Sequence, residues 1–276
     1  MKVKPFMIIA AYFLGLLIVT LIIGKIKLTL QFNKEVKLLF SQSKNISTKI
    51  FHYSELSGLP EPVQRYFKHV LKDGQSYISY ARIKHTGQFK TGLDKDWINI
   101  KGEQYATTEK PGFIWKGTTS TFTARDMYIV DKGRLVVSLF SLYNVVDAKG
   151  ESYNQGELLR WLGESVLYPT NLLPSERLKW IGIDSQSAKL TFNYNGLSLF
   201  FTITFNETGE ITQMETKRYM DKVKLETWVI KSSSYKEMND VVVPLAFEVL
   251  WRLQKEDLSY AKFYVTEIEY NKSDRF

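Results

Sequence analysis

The segment AKLTFNYNGLSLFFTITF (residues 188–205) alternates apolar and polar side chains on both sides of Asn195-Gly196. A period of two marks a half-buried strand, because successive side chains leave opposite faces of the backbone. Asn-Gly between two such runs is a strong hairpin signal, since a type I′ turn needs positive φ at both central positions. This segment therefore reads as two antiparallel strands joined by a tight turn.

The same pattern extends outward in both directions. ARIKHTGQF (81–89) places Ala81, Ile83, His85, Gly87 and Phe89 on one face and Arg82, Lys84, Thr86 and Gln88 on the other. WINIKGEQYAT, FIWKGTTSTF and ARDMYIV follow, and Asp131-Lys132-Gly133 reads as a turn into RLVVSLFSLYNVV. Downstream of residue 205, a turn at NETGE leads into ITQMETKRYM, then KLETWVIKSSSY, VVVPLAFEVLWRL and LSYAKFYVTEIEY. Ten or eleven strands result, nearly all joined by short connections, which implies antiparallel neighbours. The expected fold is mainly β: a large curved antiparallel sheet or incomplete barrel with two or three covering helices. A sheet of this size must curl because strand twist accumulates. Its concave face is then a filled core or an apolar ligand cavity.

Two covering helices stand out. LPEPVQRYFKHVL (59–71) carries Val63, Phe67, Val70 and Leu71 at helical spacing behind two prolines. GELLRWLGESVLYPTNLLP (156–174) sets Leu159, Leu162 and Val166 on one stripe and Glu157, Arg160 and Glu164 on another. The charged stripe reads either as a solvated row of ion pairs or as an inward Arg160 gripping an anionic head group. Glu157, Arg160, Trp161 and Leu162, with Trp180 from the segment that follows, are the candidate pocket or lid residues.

The amino terminus has a different character. Residues 6–24, FMIIAAYFLGLLIVTLIIG, form an uncharged apolar run of about the length that crosses a bilayer as a helix. The run ends TLIIGKIK, with bulky residues at the positions where a cleavage site needs small ones, so it reads as an uncleaved signal anchor and places the chain in the membrane with a single pass. The domain organisation expected is an anchor over 1–27, a basic stalk over 28–54 and a β-rich half-barrel over 55–276. Of the formal net charge of +8, almost all comes from the first 50 residues, which hold eight lysines and one acid, Glu35. Basicity beside a hydrophobic segment suits anionic lipid rather than nucleic acid.

Motif chemistry is sparse. The chain has no cysteine, which removes disulfides, thiolate metal sites and a cysteine nucleophile. His52, His69 and His85 lack metal-ligand spacing, and no phosphate-binding or dinucleotide fingerprint occurs, so no metal or cofactor is expected. GESVL (163–167) lacks the closing glycine of a nucleophile elbow. Asp126, Asp131, Glu157 and Glu164 are candidates for paired-carboxylate chemistry. The 39 aromatic residues fill a core or line a cavity for a hydrophobic ligand.

Taken as a set, the N-terminal anchor, LPEPVQRYF, HTGQF, GELLRWLGESVLYPTNLLP and LKWIGID resemble a widespread family of bacterial membrane-associated proteins of uncharacterised function. The order of elements is similar to that of periplasmic lipoprotein carriers, whose helix-capped half-barrels hold acyl chains. The anchor, the curved sheet with few covering helices and the aromatic content, together with this resemblance, give the expectation of a non-enzymatic, membrane-anchored protein of the bacterial envelope that holds a lipid or other amphiphile, with its body outside the cytoplasm. A cell-envelope hydrolase using paired carboxylates, or a structural or regulatory partner of other membrane proteins, are the alternatives.

Overall fold

The computed structural model describes residues 5–43 and 45–276. Lys2, Lys4 and Lys44, three of the eight lysines counted above, lie outside them. Helix α1 (Pro5–Ser41) is followed by a short strand β1 (Ile50–Phe51), helix α2 (Glu61–Val70) and β2 (Gln75–Ser76), which pairs with β1. Five hairpin-linked strands come next: β3 (Tyr80–Phe89), β4 (Ile98–Thr107), β5 (Gly112–Thr118), β6 (Phe122–Ile129) and β7 (Lys132–Leu139). After β8 (Tyr143–Lys149) the chain forms α3 (Glu151–Gly163) and two short 3-10 turns. It then returns through β9 (Leu178–Gly182), β10 (Ser187–Tyr194), β11 (Leu197–Phe205) and β12 (Ile211–Tyr219). Three strands complete it: β13 (Leu225–Met238), β14 (Val241–Arg252) and β15 (Asp257–Tyr270).

Thirteen of these strands form one antiparallel sheet in the order β8-β7-β6-β5-β4-β3-β15-β14-β13-β12-β11-β10-β9. The one junction that is not a hairpin in sequence is β3 against β15, which stitches the two halves together. The outer strands β8 and β9 do not pair, so the sheet is open: an incomplete barrel. The expected Asn195-Gly196 turn is present, with φ of 49° and 76° and Tyr194 opposite Leu197.

Two readings of local sequence are corrected. The turn before β7 is Val130-Asp131, both left-handed, with Ile129 opposite Lys132. Gly133 lies inside the strand, where a Cβ would collide with the Tyr153 carbonyl oxygen. Its role is to let the backbone of α3 approach, not to make the turn. RLVVSLFSLYNVV is two strands, β7 and β8, joined through residues 140–142. No glycine, proline or asparagine marks that break, which raises the strand count above the ten or eleven expected.

Helix α3 lies on the concave face and bridges the two arms, touching β5–β8 on one side and β11–β12 on the other. Leu158, Leu159, Leu162 and Val166 are buried there in the main core. Helix α2 packs through Val63, Phe67 and Val70 near β10 and β14. Helix α1 serves the opposite face. Phe32, Val36, Leu39 and Phe40 pack on Tyr80, Tyr105, Ile114, Met127 and Ile129 of the convex side. Glu35 forms an ion pair with Arg125, which is 1% exposed. Strand alternation explains the division of labour: Arg125, Met127 and Ile129 face α1, while Ala124 and Asp126 face inward. The N-terminal half of α1 is long and apolar enough to cross a membrane by length and composition, and its side chains from Phe6 to Ile23 are almost all exposed.

Candidate ligand cavity

The concave face encloses a cavity of about 700 Å³ between the sheet and α3. A packed core would leave no such space; interiors of ordinary density hold few voids larger than a water molecule. Ile83, Trp115, Trp228, Val249, Trp251 and Phe263 form much of its wall. All six lie on strands with their side chains on the inner face.

The helix side of the cavity is charged. Arg160 donates from Nη1 to Asp126 and from Nε to Glu164 Oε1 at 2.8 Å. Its guanidinium lies 4.8 Å from the Trp115 ring centroid, a cation–π distance. Glu164 Oε2 accepts a hydrogen bond from Gln104 Nε2 at 2.6 Å. Beside this group, Arg218 Nη2 donates to Glu157 Oε1 at 3.4 Å and stacks 4.5 Å from Trp228. His85 Nε2 accepts from the Trp115 indole N–H at 2.7 Å. Asp126 Oδ1 and Glu157 Oε2 are buried without a hydrogen-bond partner among the described residues.

Burial sets the protonation states. Desolvation, then the negative charge of Asp126, pushes the Glu157 carboxyl up to about 8. Desolvation also raises Asp126. His85 is held down to about 4 by burial first and by the nearby Arg160 second, so it is neutral at physiological pH. Arg160 keeps its charge against burial because Glu164, Asp126 and Glu157 surround it. The result is an apolar chamber with a compensated polar patch. Such a patch orients a ligand, and acids whose protonation is set apart by burial are also the arrangement used in acid–base chemistry.

The candidate residues separate into two groups. Glu157 and Arg160 line the cavity, and the charged stripe is buried rather than solvated: Glu157 is 3% and Arg160 9% exposed. Arg160 holds two carboxylates of its own chain and not an external anion. Trp161, Leu162 and Trp180 are core residues. Trp161 donates from Nε1 to the Thr107 carbonyl at 2.9 Å and packs 5.5 Å from Phe192. Leu162 is fully buried on the same side of the helix. Trp180 sits between Phe67 and Phe205 and donates to the Leu172 carbonyl at 2.9 Å. Of the four acids considered, Asp126, Glu157 and Glu164 converge on the cavity, whereas Asp131 accepts from the Tyr194 hydroxyl at 2.8 Å elsewhere. Arg218, Trp115 and Trp228 carry no local sequence signal for a site; only the inward parity of their strand positions marks them. Among the described residues no group of three or more His, Cys, Asp or Glu side chains is placed to hold a metal.

Three solved structures are similar at low identity. A LolA superfamily protein from Nitrosomonas europaea aligns over 76% of this chain and 92% of its own, at 8% identity and a TM-score of 0.42. A putative outer membrane lipoprotein-sorting protein domain from Vibrio parahaemolyticus aligns over 70% and 85%, at 10% identity and 0.41. A DUF1329 family protein from Desulfovibrio piger aligns over 71% and 86%, at 10% identity and 0.32. No curated protein matches the chain. A family model described as "Family of unknown function (DUF6544)" matches residues 49–263, nearly the whole folded body, and the chain belongs to that family.

Proposed function

We propose that this is a non-enzymatic, membrane-anchored binding protein whose half-barrel holds a lipid or other amphiphile. Residues 1–27 are the anchor, and the body stands outside the cytoplasm. The observation that carries the reading is the cavity of about 700 Å³, walled by aromatic and aliphatic side chains and carrying one compensated polar patch. A site of this volume and lining suits a molecule with a long apolar part and a small polar end. The exposed apolar half of α1 supports the anchor. The test is native mass spectrometry with lipid extraction after mild solubilisation. A bound amphiphile is expected with the wild type and its loss with Ala124→Phe, which fills the cavity from the β6 wall. A wild type that carries no amphiphile and takes up none from added fatty acid refutes the reading.

One observation favours a second reading, an envelope hydrolase. Asp126, Glu157 and Glu164 line one chamber, and burial separates the protonation states of two of them from that of an ordinary carboxylate. Hydrolysis of an ester or glycoside lost in both Asp126→Asn and Glu157→Gln, with amphiphile binding retained, would establish it.

A further inference from the structure

The direction of α1 across the sheet fixes which side of the cavity meets the bilayer. At its C-terminal end, α1 lies at one edge of the sheet, where the Lys110 amide donates to Ser43 at 3.2 Å beside the β4–β5 turn. Phe32, several turns back, stacks near Lys116 and Tyr105 in mid-strand. Gly24 lies at the other edge: a Cβ there would stand 2.5 Å from Leu142 and 2.9 Å from the Ser141 carbonyl oxygen. The helix thus runs along the convex face from the β7–β8 connection to the β4–β5 turn. Its apolar residues 6–24, about 28 Å long at 1.5 Å per residue, project past the β7–β8 edge.

Antiparallel pairing brings the β3–β4, β5–β6, β7–β8, β12–β13 and β14–β15 connections to that same edge. The cavity opens there. Its lining includes Gly92 and Leu93 from the β3–β4 loop, Leu139, Val145 and Val146 from the β7–β8 hairpin, and Met220 from the β12–β13 turn. The edge is also apolar where it should be polar. Phe140 is 50%, Leu142 48%, Tyr143 71% and Val223 84% exposed. Phe140 adopts φ of 48°, a conformation unfavourable for a bulky residue. The same chain uses Asn195 and Asn239 for left-handed turn positions. A solvent-facing turn gains nothing from the phenyl ring.

The geometry points to a cavity that opens directly onto the bilayer, with the β7–β8 hairpin and Val223 seated in the membrane interface beside α1. Resting on the anchored amphiphile-binding reading, the inference adds a route: the ligand passes between leaflet and cavity through this mouth without crossing water. Leu142 meets α1 at the residue where its uncharged run ends, followed by Lys25 and Lys27, so the tip sits at the boundary of hydrocarbon and head groups. The edge also carries Asp94, Asp96, Asp221 and Glu256 among its lysines. Seating therefore depends on apolar contact more than on net charge.

The chain has no cysteine, so single nitroxide labels report cleanly. Phe140→Cys, Val223→Cys and, at the opposite edge, Lys132→Cys are labelled in the full chain. The protein is reconstituted in vesicles of phosphatidylcholine with a minor share of phosphatidylglycerol. Labels at 140 and 223 are expected to be reached by lipid-soluble oxygen and shielded from a water-soluble nickel chelate, and the label at 132 the reverse. Equal aqueous access at all three positions overturns the seating. For the route, a fluorescent fatty acid is offered from the same vesicles. Phe140→Asn with Val223→Asn is expected to slow uptake several-fold, while uptake from detergent micelles stays at the wild-type level and thermal stability is unchanged or higher. Vesicle uptake equal to wild type overturns the route. A wild type that takes up no fatty acid from micelles refutes the amphiphile reading instead, and the label pattern still decides the seating.

Discussion

In Glu157→Gln the change is one proton-binding group in a place where the fold disfavours its charge. Glu157 is 3% exposed, its Oε2 is unpartnered, and burial together with Asp126 lifts its carboxyl to about 8 from an ordinary 4.5. An acid with a raised folded pKa binds its proton more tightly in the folded state. The stability it contributes is full below about 4.5 and is lost as pH rises through about 8. Each pH unit inside that window costs ~1.4 kcal/mol, so crossing it from 4.5 to about 8 removes on the order of 5 kcal/mol. Glutamine keeps an acceptor oxygen for Arg218 and has no proton to lose. The two proteins should therefore melt together near pH 5 and separate by pH 8.5, with the variant higher by roughly 10 °C for a body of this size. Thermal melts followed by tryptophan fluorescence across this range measure the difference directly, because every other titrating group is common to both proteins. A difference that stays constant with pH refutes the reasoning, and would mean that Arg218 holds Glu157 ionised despite its burial.

Arg160→Met leaves the half-buried Asp126 and Glu164 without their cation, which should cost about 3 kcal/mol at neutral pH and less at pH 5, because burial raises the Asp126 carboxyl and favours its protonation there; melts at both pH values check it. Glu35→Gln removes the partner of Arg125, a side chain 1% exposed. The expected result is faster hydrogen exchange across residues 28–41 with the sheet amides of β9–β12 unaffected. Gly133→Ala drives a Cβ into the Tyr153 carbonyl, and the displaced α3 should lower stability by about 1–3 kcal/mol, read in denaturant melts.

The parts of the fold visible in the sequence are those specified by neighbours along the chain. Period-two alternation on 81–89 and 188–205 reflects one buried and one exposed sheet face, and both are strands. Asn195-Gly196 works as a turn for the reason its dihedrals require. The β7–β8 break escaped because its turn residues include Phe140 and Leu142, which prolong an apolar pattern instead of interrupting it. If that edge lies in a membrane interface, the missing turn signal and the exposed ring have one cause: the hairpin tip is selected for contact with lipid rather than for turn stability.

The site was harder to read than the fold because its residues meet only through the curvature of the sheet. Arg160 and Glu164 are four apart on or beside one helix, and spacing alone brings them together. Asp126 reaches Arg160 from β6 and Arg218 reaches Glu157 from β12, on opposite arms of the half-barrel. Whether a charged helical stripe is wet or buried depends on what stands opposite it. Here both arms curl up to meet α3, and the stripe becomes the polar lining of the cavity. Trp161 shows the complementary case. It follows Arg160 in the chain, yet one step rotates it by about a hundred degrees around the helix, onto the Thr107 carbonyl and Phe192. A hundred degrees of rotation thus separates a cavity-facing residue from a core residue, and only the face that the sheet presents to α3 assigns the two positions.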